Sequence, residues 1–483
     1  MVKTKYLFII INIFLAILIM PSLCNATTYY VDATNGKDYN NGLSQTTAWN
    51  TMAKVNASKF EPGDQIFFKR GGVWNEQLNV PSSGTSNSRI IFGAYGEGEN
   101  PAINGTMILN NAVIISNKNY IIIESLLLEN TNNDALLIGG TSHHITVQNC
   151  EMRNSYKGIG IYDAAGGGNI FQNNIIHNVV RDGISGHPHT GSSLGNETIV
   201  KRNTIYKAGR FGMFCRVNYW IIEENRIYDS GQNAELGING ECIGIEIYSA
   251  SLTDGTGCNN IVRRNTIFGI KSAGNEGSAL EADRWCKNNE FYYNLAYNND
   301  GPGITIYDAP NSKVYNNTFW NNSLNSSGEL VHPGEIRLVS TSAGLTANTV
   351  VKNNIGYTMQ QKGYVIFVDV QTAKNFLNID KNCWFKQSGP WWLWGTEYGA
   401  DIGVWNTKGQ IHTDFYADPK FSDISRQDFR LQSTMSPCLD SGVNIGLIKD
   451  LYGTSVPHGP GIDIGAIESM DKTLSPPQGI KVN

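Results

Sequence analysis

IVKRNTI (199–205), IIEENRI (221–227) and IVRRNTI (261–267) are three variants of one phrase: an apolar residue, two variable residues, Asn, then another apolar residue two places on. Counting from Phe171, the phrase recurs with Asn at 174, 203, 225, 265, 294, 317, 354 and 382, at intervals of 29, 22, 40, 29, 23, 37 and 28 residues. A period in the twenties, with insertions in some turns only, marks a solenoid. Short alternating segments rich in Ile, Val, Tyr and Thr make each unit a set of strands rather than a helix pair. Asn suits the tight turn of each unit, because its side chain bonds nearby backbone and tolerates left-handed dihedrals. Stacked in register, such residues can bond one another as a ladder. The pattern predicts an all-β chain, a right-handed single-stranded parallel β-helix.

Outside the repeat, Lys3 and Lys5 precede an apolar run at residues 6–20, and Cys24-Asn25-Ala26 offers a small-residue cleavage site. Residues 1–26 therefore read as a signal peptide, with the mature chain secreted or periplasmic. No later run reaches the length of a membrane span; residues 121–128 are only strand length and contain Glu124. Lys+Arg total 37 against 42 acids, and losing Lys3 and Lys5 leaves 35 against 42. That balance argues against nucleic acid or an anionic membrane as partner. One elongated monomer is expected, since a solenoid core grows by stacking. The mature cysteines (150, 215, 242, 258, 286, 383, 438) lack metal-ligand spacing such as C-x-x-C. Cys242 and Cys258 flank a Gly-rich insertion and are the expected disulfide pair; the others are expected to face inward.

Residues 27–112 form the expected N-terminal cap and first coils, 113–390 the coils with the groove, 391–470 the last coils and C-terminal cap, and 471–483 a tail. TYYVDATNGKDYNNGLSQTTAWNTM (28–52) and PGDQIFFKRGGVWNEQLNV (62–80) resemble the opening of many secreted bacterial β-helix proteins. DPKF (418–421), DFRL (428–431), SPCLDSG (436–442) and DIGAIE (463–468) resemble the closing segment of the same pectate-lyase-like superfamily. The resemblance implies a carbohydrate-active protein whose first strand and short helix close the open end of the core. Trp384, Trp391, Trp392, Trp394 and Trp405 crowd the far end, where burial beneath the last coils is the expected role and a sugar platform the alternative.

Between the Asn turns lie Gly-bounded strands: GIGIYD (158–163), DGISGHPH (182–189), GMFCR (212–216), IGIEIYS (243–249), ALEADRW (279–285) and GITIYDA (303–309). Setting Ile161, Gly186, Cys215, Ile247, Ala282 and Ile306 inward puts their neighbours outward. One outer column is then Gly160, Ser185, Phe214, Glu246, Glu281 and Thr305; the next is Tyr162, His187, Arg216, Tyr248, Asp283 and Tyr307. Glu246, Glu281 and Asp283 converge as candidate catalytic residues, with His187, Arg216, Tyr248, Arg284, Trp285, Tyr162 and Tyr307 as substrate-binding candidates and His189 at the margin. Three close carboxylates repel, so at least one should hold its proton towards the working pH. A solvated outer face would carry Glu, Asp and Arg as well, and Tyr162 and Tyr307 also fit plain β-propensity.

Paired carboxylates are what glycoside hydrolysis needs, and adjacent-rung spacing near ~5 Å corresponds to retention. The pectin-hydrolysing β-helix family inverts with close carboxylates, but its NTD, GHG and RIK motifs are missing here. A polysaccharide lyase or epimerase would need a base and a charge neutraliser, for which Arg216, His187 and Tyr248 are available. No lysine stands in either column. An eliminase would hold Ca2+ among Glu246, Glu281 and Asp283; a hydrolase needs no metal or cofactor. A non-catalytic glycan-binding protein needs only the groove. The expectation is an extracellular glycoside hydrolase acting on a polysaccharide or oligosaccharide.

Overall fold

The computed structural model describes residues 26–469 apart from 163–165, 189–190, 232–241, 273–275, 326–332, 412 and 433–434. Nearly all of the expected signal segment, the tail and His189 lie outside the described residues. Three long sheets, designated A, B and C, hold 14, 13 and 13 strands among those residues. One coil shows the path: Ile184–Gly186 in sheet C, Thr198–Lys201 in sheet A, Thr204–Tyr206 in sheet B, then Met213–Cys215 in sheet C again. Neighbouring strands are parallel throughout the stack; sheet C ends in an antiparallel pair, Trp392–Trp394 with Glu397–Gly399.

The core is a set of apolar stacks. Val147, Phe171, Val200, Ile222, Val262 and Phe291 rise through sheet A, and Ile176, Ile205, Ile227 and Ile267 through sheet B, all fully buried. Each such side chain contributes about 1.5–3 kcal/mol. Gly186 breaks the inward stack of sheet C for a reason: a Cβ there would lie 3.0 Å from the ring of Trp220, which fills the space from sheet A.

The ladder forms at the corner between sheets A and B. Asn203 Oδ1 accepts from Asn174 N and Nδ2, both at 3.0 Å, while its own Nδ2 donates to Phe171 O and Asn225 Oδ1. The same bond repeats through Asn225, Asn265, Asn294, Asn317, Asn354 and Asn382. The left-handed dihedral falls one residue earlier than expected, on Asn173, Arg202, Glu224, Arg264, Tyr293, Asn316, Asn353 and Lys381. The rung residues are therefore Asn for their four side-chain bonds, not for backbone freedom. Asp414 ends the series: its Oδ1 accepts from Asn382 N and Nδ2, and its Oδ2 from Trp384 Nε1 and Trp405 Nε1.

At the entry end, Thr28–Val31 pairs with Gln65–Lys69, and Trp49, Met52, Val55 and Phe60 plug the open coil beside a short helix, Met52–Asn56. At the far end Trp384, Trp391, Trp392, Trp394 and Trp405 are all buried, as the burial reading required. After residue 418 the chain returns to sheet B, where Phe421, Phe429, Leu431 and Ile464 pack on Leu295, Tyr297, Trp320 and Ile355. The expected Cys242–Cys258 disulfide is not formed. All seven described cysteines are buried and none is in a disulfide, and Cys242 and Cys258 lie on either side of the Ile245–Tyr248 strand. Their thiols bond Gly231 O and Thr256 O respectively.

Candidate active site

The register of sheet C makes the two outer columns real ladders. Gly160, Ser185, Phe214, Glu246, Glu281 and Thr305 pair in succession, and the column runs on to Arg337 and Phe367. Tyr248, Asp283 and Tyr307 pair likewise. Tyr162, His187 and Arg216 each stand one residue past a strand end, immediately after the paired Ile161, Gly186 and Cys215. Inward Ile247, Ala282 and Ile306 are fully buried, which forces their neighbours outward.

Glu246 and Glu281 are 5% and 3% exposed and sit directly opposite on consecutive rungs, about 4.8 Å apart at the backbone. Burial pushes the Glu281 carboxyl well above its ordinary range, and Glu276, Asp283 and Glu246 add to the rise while Arg337 opposes it. Burial outranks the mutual repulsion expected from sequence. Asp283 is the more accessible carboxylate, with Arg284 Nε 3.8 Å from its Oδ1. Arg284 and Trp285 take consecutive left-handed dihedrals (φ 45° and 51°) and turn the chain away from the strand. Arg216 is engaged by Asp254, whose Oδ2 accepts from its Nη2 at 2.8 Å and Nε at 3.1 Å. Among the described residues no three His, Cys, Asp or Glu side chains are placed to hold a metal ion.

Above the carboxylates an aromatic wall follows the columns. The Tyr162 and His187 rings stack at 4.5 Å, and Phe214 links His187 to Tyr248 with ring centroids 5.9 Å from each. No lysine stands in either outer column, but Lys157 reaches this face from beside them. It belongs to the preceding column, with Asp134 above it in the pairing, yet its Nζ lies 2.8 Å from Tyr162 Oη and 3.1 Å from His187 Nε2. Burial lowers the Lys157 pKa, countered by Asp134 and Asp182, and burial raises that of Tyr162. Gly160 clears space for Asp134, whose Oδ2 would lie 2.2 Å from a Cβ at that position. Arg337 and Glu276 were also missed. Arg337 was open to discovery, because GEIRLV (334–339) shows the same Gly-bounded alternation; Glu276 lies in an insertion with no period to place it.

Residues 190–355 match the family model described as right handed beta helix region. A stretch of 79 residues is 35% identical to a lacto-N-biosidase of Bifidobacterium longum subsp. longum, covering 16% of this chain and 5% of that protein. Among solved structures, the native GH136 lacto-N-biosidase of Eubacterium ramulus aligns with a TM-score of 0.55 at 15% identity, over 82% of this chain and 67% of that one. XylC, solved in complex with xylose, aligns at 0.53 and 14% identity over 92% and 99% of the two chains. Pectate lyase Pel9A aligns at 0.50 and 14% identity over 93% and 98%. The chain is a right-handed parallel β-helix of the pectate-lyase-like architecture, a fold it shares with carbohydrate-active proteins. Fold alone does not assign a reaction.

Proposed function

We propose that the groove on sheet C hydrolyses glycosidic bonds, with Glu281 as the proton donor. The observation that carries this is the placement of a buried Glu281, its pKa raised by that burial, in register with Glu246 and two residues from the more exposed Asp283. Glu281 gives its proton to the leaving glycosidic oxygen, while an ionised partner on the other side of the anomeric carbon acts as nucleophile or activates water. The aromatic wall supplies apolar surface for sugar C–H faces.

The charge pattern favours a neutral glycan over a uronate. Arg216 is paired with Asp254, Arg181 with Asp182 and Arg284 with Asp283, while Lys157 faces Asp134 and Arg337 faces Glu281. A substrate carboxylate entering here would meet cations that already have anionic neighbours.

A second reading, elimination or epimerisation on a uronate, draws on one observation: Lys157 bonds both Tyr162 and His187 on the same face, and such groups can abstract a proton. Incubation with a polysaccharide and oligosaccharide panel separates the two. New reducing ends without an ultraviolet-absorbing unsaturated product support hydrolysis; both together support elimination. Neither, with binding intact, leaves a recognition groove.

A further inference from the structure

Sheet A carries a second groove, of about 390 Å³, that the carboxylate site does not use. Its floor is formed by outward side chains in continuous register, Ile221, Ile261, then Glu290 and Lys313, in a column that continues beyond the groove to Ile199. Ile221 and Ile261 thus form a contiguous apolar strip on the outer, solvated face. Leu194, 84% exposed, overhangs one side, and Tyr219 lines the same hollow. Along the rim runs a second asparagine ladder, exposed rather than buried. Asn288 Nδ2 donates to Asn259 Oδ1 at 3.0 Å, Asn311 to Asn288 at 2.9 Å and Asn348 to Asn311 at 3.1 Å. Glu290 and Lys313 neutralise each other at 2.7 Å.

We propose that this groove binds a neutral polysaccharide chain lying along the solenoid axis. Each rim amide uses part of its capacity on its neighbour and keeps donor and acceptor capacity for solvent or ligand. The rim therefore offers uncharged donors and acceptors at a step of about 4.8 Å, over about 10 Å from Asn259 to Asn311, and the ladder runs on to Asn348. That step is comparable to the length of one pyranose ring. Sugar hydroxyls meet the amides while C–H faces cover Ile221, Ile261 and Tyr219. Glu290 and Lys313 neutralise each other and Glu197 adds only a further carboxylate, so the groove offers nothing to select an acidic chain. The inference shares with the hydrolase reading only the premise of a glycan ligand, and a different sheet carries it.

The test is retention on insoluble neutral polysaccharides (cellulose, chitin, xylan and mannan), measured on Glu281→Gln so that turnover plays no part. Leu194→Ser, Ile261→Ser and Asn288→Asp are then compared in that background; the last keeps size and tolerance of a left-handed backbone but removes the donor. Retention on at least one polymer should weaken about 10-fold in each, with the melting temperature unchanged and, when the same substitutions are made in a chain that keeps Glu281, turnover on a short soluble oligosaccharide unchanged as well. Retention indifferent to all three, or no retention of any kind, overturns the proposal even if the sheet C groove proves hydrolytic. A concentration-dependent dimer that Ile261→Ser dissociates overturns it too, because the strip is then a self-contact. If retention tracks the sheet A substitutions while no polymer is cleaved, this proposal stands and the hydrolase reading falls.

Discussion

Glu246 and Glu281 come from strands separated by an Asn-ladder turn, yet they occupy the same position on consecutive coils and face out of sheet C side by side. Removing proton-transfer capacity while keeping shape tests that pairing. Glu281→Gln should lower turnover at least about 100-fold, the usual scale of one general acid, with substrate affinity little changed. Normal turnover in Glu281→Gln, Glu246→Gln and Asp283→Asn alike would falsify the site.

The configuration of the first product identifies the partner of Glu281. Adjacent rungs set Glu246 about 4.8 Å away, near the spacing of retaining enzymes, while Asp283 lies about 6.5 Å along the strand, at the lower bound for inversion. Proton NMR during the first turnovers should show retention if Glu246 is the nucleophile and inversion if Asp283 activates water.

The alkaline limb of activity should follow Glu281, which must be protonated to act. Its raised pKa places the loss of activity above the ordinary carboxylate range. Arg337 holds that pKa down, so Arg337→Met should move the limb to still higher pH in kcat profiles. A limb that moves to lower pH would show that another group controls it.

Glu335 gives a stability prediction independent of catalysis. It is fully buried, accepts from Asn322 N and Nδ2, and is pushed by burial from 4.5 up to about 8. The folded state thus keeps a proton that the unfolded chain releases near its ordinary value. Stability should fall as pH rises from there towards about 8. Glu335→Gln should flatten that slope, read as melting temperature against pH.

Asn265→Ala removes a rung. Its Oδ1 accepts from Asn225, and its Nδ2 donates to Ile222 O and Asn294 Oδ1. Leaving such groups unpaired should cost about 1–3 kcal/mol in chemical denaturation, whereas Asn288→Ala on the exposed ladder should cost less.

The fold was legible because two periodicities agree. The Asn phrase marks where coils turn, and Ile161, Cys215, Ile247 and Ile306 mark which strand face is inward, so the parity of Glu246, Glu281 and Asp283 followed. Lys157 escaped because Gly158 follows it at the corner, where alternation no longer tells inside from outside. The Cys242–Cys258 pairing failed because nearness in sequence across an insertion is not nearness across a strand. Asp134 beside Gly160 depends on a side chain reaching across a rung, which alternation does not encode.

The buried asparagines also explain why chain length between turns is so unequal. Asn203 and Asn225 are 22 residues apart and Asn225 and Asn265 are 40 apart, yet both pairs are joined by a bond of 3.0 Å. The spine counts coils, not residues. Insertions can therefore lengthen or shorten on sheet C without shifting any strand below them. Glu246 sits inside the longest of these intervals and Glu281 in the next. The surroundings of the two carboxylates can thus be rewritten, loop by loop, on a frame that holds the pair together.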